Sequence, residues 1–101
     1  LQSRMVDTRK EDLITDFTLA LTQQQAEIQS HRENIESYRE ILELRSDISK
    51  TYASMLKNGT IKTIDYLSVV NDEKQARVQL QTEKIMFQKS IADYNYLKGT
   101  L

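Results

Sequence analysis

His31 is the only imidazole in a chain of 101 residues that contains no cysteine. One histidine without thiols cannot build a histidine-based metal cluster within a single chain. A cysteine nucleophile is absent, as are a glycine-rich phosphate loop and a G-x-S-x-G elbow. Carboxylates are plentiful, but "RKED" at Arg9 to Asp12 and "NDEK" at Asn71 to Lys74 spread charge as a solvated helix surface does. The tyrosines of "DYNYL", Tyr94 and Tyr96, offer a recognition patch or, for Tyr94, core packing. These residues point away from an enzyme, and neither a catalytic group nor a cofactor or metal is expected.

Composition narrows the remaining classes. Lys and Arg number 14 and Asp and Glu 15, a net charge of −1. A nucleic-acid binder would show a basic stripe, so none is expected as a partner. The same balance argues against a polybasic membrane-surface segment. No apolar run approaches the ~20 residues that a spanning helix needs. No signal-peptide pattern is present, and a chain that opens on Leu1 reads as a mature or excised segment. The absence of cysteine is compatible with an oxidising or a reducing compartment.

Proline is absent and glycine occurs twice, at positions 59 and 99. Strand-rich folds consume turn residues, so long uninterrupted helices are the natural reading. Ile14, Leu21, Ile28, Ile35, Leu42, Ser49 and Leu56 recur every seven residues, with Phe17, Gln24, His31, Tyr38, Arg45 and Tyr52 between them. This spacing predicts a heptad seam in which His31 is a polar core or interface residue. A second seam follows Tyr66, Val69, Glu73, Ala76, Leu80 and Glu83, and continues through Phe87, Ser90, Tyr94, Leu97 and Leu101. The expected fold class is all-α, a long antiparallel two-helix coiled-coil hairpin. Its helices run from about 7 to 56 and from about 63 to 98, around a turn at 57–63. At ~1.5 Å per residue the rod should be roughly 50 to 75 Å long.

The turn "KNGTIKT" has suitable chemistry. Gly59 can take the left-handed conformation that ends a helix. Lys57 and Asp65 suit the helix dipoles on either side. Thr60 or Thr63 can serve as the second helix's N-cap, and Gly99 reads as its stop. Reflection about Gly59 sets Leu101 near position 18. The first dozen residues, the most polar, then either fray or pack against something outside the chain. Ile41, Ile48 and Met55 add a stripe beside the first seam, and Ile64, Val78, Ile85 and Ala92 read as a flanking stripe on the second. A two-helix hairpin buries only one face of each helix. These stripes therefore call for further helices, through oligomerisation or through additional sequence, and the chain is expected to self-associate through them.

"NGTIKTIDYL", Asn58 to Leu67, resembles the periplasmic tip of the TolC-type outer-membrane efflux protein family. Members show a G-x-x-(S/T)-x-x-D-(V/L)-L pattern between two long helices, and Gly59, Asp65 and Leu67 match it. Ala76, Leu80, Phe87, Ile91 and the closing "LKGTL" follow without a gap, and the ending is similar to that of the family's second internal repeat. The resemblance covers roughly Leu13 to Leu101. It implies a periplasmic α-barrel fragment from an outer-membrane channel that is trimeric at full length. The membrane strands themselves are missing from this chain. It also implies that the tip docks onto a periplasmic adaptor (membrane fusion) protein. Asn58, Gly59, Thr60 and Ile61 are then the candidate docking residues, and Asp65 the acidic residue at the channel entrance. Asn58 stands where a small apolar residue is common, and Ser68 where a second Asp often follows, which puts a double acidic ring in doubt. The alternative is a coiled-coil interaction or scaffold module, of adaptor or chemoreceptor-like type, with no transport role.

Overall fold

No proline or glycine lies between Gln2 and Lys57, so nothing removes a donor from the intrahelical ladder or loosens the backbone. The chain accordingly runs as one helix, α1 (Gln2–Lys57), and returns as α2 (Thr63–Gly99). The computed structural model describes the backbone of residues 2–100 and the side chains of residues 7–100. Leu101, assigned to the second seam and paired with position 18, lies outside the described residues. The two helices form an antiparallel hairpin with extents of 85 × 17 × 17 Å. The rod is longer than anticipated because α1 begins at Gln2 rather than near Asp7, and no helix breaker stands in that stretch.

The seam positions are those marked by the heptads. Between the turn and Leu21, every one of them on α1 is buried or half-buried, and so are those on α2 from Tyr66 to Leu97. The most enclosed residues are Ile35, Ser49, Ala76, Leu80, Glu83 and Ser90. Three of these are small, which lets two helices approach closely, and the resulting core is thin. Leu80, 5% exposed, contributes ~1.5–3 kcal/mol by burial. α1 outruns α2, and Ile14 is left 63% exposed beyond the paired length.

The extra stripes separate in the structure. On α1, Ile48 and Met55 are half-buried against the seam and Ile41 is 38% exposed. On α2, Ile64, Val78, Ile85 and Ala92 are all exposed. They sit midway between successive seam positions, which on a 3.5-residue period is the side facing away from α1. They do not flank the seam as read from sequence but form a separate outer face. α2 stops at Gly99, as read from the sequence, and one end assignment changes, the N-cap. Gly99 is the last residue of α2 and has no positive φ, and Thr100 closes the helix by donating its N–H and hydroxyl to the Leu97 carbonyl. The N-cap of α2 is Lys62, not Thr60 or Thr63.

Candidate docking site

The tip is built from the backbone outward. Gly59 has φ +74°, the left-handed region that costs an L-residue with a Cβ ~1–2 kcal/mol. With Gly59 so placed, its N–H donates to the Leu56 carbonyl at 3.0 Å, and the Thr60 N–H donates to the Met55 carbonyl at 2.9 Å. This pair of bonds is a Schellman motif and satisfies two of the carbonyls that a helix end leaves open. The Thr60 hydroxyl donates to the same Met55 carbonyl at 2.9 Å, so it serves the end of α1 rather than the start of α2.

Asp65 performs the N-terminal service. Lys62 is extended (φ −85°, ψ 153°), and its N–H donates to Asp65 Oδ2 at 3.3 Å, while the Asp65 N–H donates to the Lys62 carbonyl at 3.1 Å. The carboxylate thereby fills a helix-start role and also suits the dipole there. This local structural role accounts for Asp65 without any entrance function.

Of the candidate docking residues, Asn58, Gly59 and Thr60 are exposed and Ile61 is half-buried, and Asp65, the candidate entrance residue, is exposed. Ile61 and Asp65 meet in a shallow depression of about 240 Å³, completed by Tyr52, Ser68 and Val69. Asn58 and Thr60 stand outside it. Ile64 and Leu67, 69% and 55% exposed, lie within two turns of the turn and add apolar surface to this end of the rod. Leu67 was legible as a motif match, but its exposure was not.

Further along the seam, His31 Nδ1 lies 2.5 Å from Glu83 Oε1, and Asn34 Nδ2 donates to the same oxygen at 3.2 Å. The bond to Nδ1 places the proton on that nitrogen. The His31 hydrogen bond holds the Glu83 carboxyl below its ordinary value, and Asn34 and the His31 charge act in the same direction against the opposing effect of burial. His31 is therefore a satisfied interface residue, as its seam position suggested. Sequence marked both His31 and Glu83 as seam positions but did not pair them, because reflection about Gly59 fixes the register only to within about a turn and sets Glu83 nearer Ile35. Gln24 Nε2 donates to the Ser90 carbonyl at 3.3 Å and the Ser49 hydroxyl to the Val69 carbonyl at 3.3 Å, so further polar seam residues are also used across the helices. Among the described residues, every buried side-chain nitrogen and oxygen has a partner.

Among the described residues, no group of three or more His, Asp or Glu is placed to hold a metal ion. Nor is any described helix long and apolar enough to cross a membrane. No family model, curated protein or solved structure matches this chain.

Proposed function

We propose that this chain is a wall element of a periplasmic α-barrel, from an outer-membrane efflux or secretion channel, whose tip docks onto a periplasmic adaptor protein. One observation carries the reading: apolar side chains stay exposed on faces that the hairpin cannot cover for itself. Val78 and Ile85, on the outer face of α2, are 59% and 66% exposed, and Leu44 on α1 is 61% exposed. A hairpin acting alone in water gains nothing from them, whereas a helix set in a wall has neighbours on more than one side. The resemblance of the tip segment, and the exposure of Asn58, Gly59 and Thr60 at the end of the rod, support the tip as the meeting surface. On this reading Asp65 lies just inside the mouth, the full-length protein is a trimer, and its location is the periplasm and outer membrane of a Gram-negative bacterium.

The test is binding of the hairpin to a purified adaptor. Thr60→Asp and Ile61→Asp are expected to weaken binding roughly tenfold, by setting a charge on the contact, with the helical signal unchanged. Undiminished binding of both variants would remove the tip from the interface.

A further inference from the structure

One broad face of the hairpin holds a groove of about 350 Å³ between α1 and α2. In the heptad that labels Ile35 and Leu42 as a, Arg32 and Arg39 are e positions of α1, and Lys84 of α2 lines the same groove. The arginines are seven residues apart, so their Cα atoms are ~10 Å apart along the rod. Ile35 and Phe87 supply the apolar floor. The Arg32 guanidinium sits 5.8 Å from the Phe87 ring centre, within cation–π range, which anchors it beside the groove. Lys84 is half-buried, and such a lysine lays its stem on apolar surface and keeps its ammonium in water.

Charge is unbalanced at this groove. Three cations line it against one acid, Glu36, in a chain whose Lys and Arg number 14 and whose Asp and Glu number 15. Glu36 lies within about a turn of both arginines, yet among the described residues no ion pair involves Arg32, Arg39 or Lys84. Other cations on the rod are matched: Arg45 pairs with Asp72, and Arg77 with Glu73. The depression at the tip carries Asp65 and no base. Uncompensated cations around an apolar floor suit a ligand that is apolar along its body and anionic at one end. A volume of about 350 Å³ lies at the small end of ligand sites.

We propose that this groove binds a small amphipathic organic anion, an aromatic body bearing one carboxylate, sulfonate or sulfate group. The rings lie on Phe87 and Ile35, and the acid meets Arg39 and Lys84, the two cations that neither a ring nor a carboxylate engages. The groove is open to water, so binding is weak, and salt weakens it further by screening the charges. The outer stripe of Val78 and Ile85, which the wall proposal leaves to neighbouring helices, lies at the hairpin's edge, opposite the seam. A groove on a broad face stays open beside such neighbours, and the site stands whether or not the hairpin belongs to a wall.

Fluorescence titration of the 101-residue chain with anilinonaphthalene sulfonate tests the site. Two probes divide its chemistry. Phenylnaphthylamine keeps the rings and lacks the sulfonate, and inorganic sulfate, read by displacement, keeps the anion and lacks the rings. The aryl sulfonate should bind at one per chain and roughly tenfold or more tighter than either. Arg39→Gln/Lys84→Gln should weaken it roughly tenfold with the helical signal intact. Phe87→Leu should weaken it with all three cations in place. Lys57→Gln/Lys62→Gln removes the same charge at the tip and should leave binding unchanged, as should Val78→Ser/Ile85→Ser on the outer stripe. Equal binding of the uncharged probe or of inorganic sulfate would overturn the proposal, as would wild-type affinity in Arg39→Gln/Lys84→Gln. An equal loss in either control pair would also overturn it, by placing the probe on the outer stripe or reducing its binding to general charge attraction. No adaptor enters this titration, so its failure and the failure of docking at the tip are read separately.

Discussion

Glu83→Ala removes the acceptor at the centre of the seam and leaves His31 and Asn34 without their shared oxygen. A hydrogen bond to a charged group contributes ~1.5–3 kcal/mol. The two bonds share one oxygen, the His31 side chain is 22% exposed, and Asn34 is exposed, so water recovers part of the loss. The expected net cost is about 2 kcal/mol. For a domain of this size each kcal/mol moves the midpoint by roughly 4–8 °C, so thermal unfolding followed by circular dichroism should fall by about 10 °C. His31→Ala and the double variant complete a cycle, whose coupling should be about 1 kcal/mol or more at neutral pH. The folded Glu83 carboxyl titrates below its ordinary value of 4.5, so the unfolded chain binds that proton more readily. Its contribution is therefore whole above the ordinary carboxylate range and disappears as pH falls through the lowered folded value. The coupling should vanish in that acid window. Additive single effects at neutral pH, or a coupling indifferent to acid, would refute the assignment of this network to seam stability.

Gly59→Ala should cost about 1 kcal/mol, the left-handed penalty less what alanine gains by restricting the unfolded chain. A Cβ at Gly59 would meet nothing within 4 Å, so the cost is one of backbone conformation alone. Asn tolerates this region, and Gly59→Asn should cost less in the same melt. Val78→Ser/Ile85→Ser should leave the melting of the isolated hairpin within about 0.5 kcal/mol of wild type, since both residues are exposed. A larger loss would show that the outer face of α2 is covered within the chain.

The hairpin was legible because the seam follows from a period, and a period survives without coordinates. From Leu21 through Leu56 and from Tyr66 through Leu97, apolar, polar and small residues alike are drawn in by the register of their neighbours, as Ser49 and Glu83 show. Gly59 was legible for a second reason: few residues accept its φ. The outer stripe of Ile64, Val78, Ile85 and Ala92 was legible as apolar surface that the hairpin leaves to other helices, but it was set beside the seam, whereas the heptad phase sets it opposite. Capping was misread where side-chain preference met a stronger local bond. Thr60 has a cap residue's hydroxyl, yet the open carbonyl of Met55 lies behind it and takes the bond, and Lys62 becomes the N-cap through its extended backbone and the bond from its N–H to Asp65. Asp65 was marked as special, and what the structure adds is that a bond to the Lys62 N–H already gives it work.

On the proposed function, the exposed turn meets a partner while the rod lies against other helices. A single cysteine can report on this, because the chain contains none. Thr60→Cys carrying a benzophenone label, mixed with a purified periplasmic adaptor, should crosslink to it. The same label at Gln29, an exposed residue far along α1, should not. Equal crosslinking from both positions, or crosslinking from Gln29 alone, would contradict the claim.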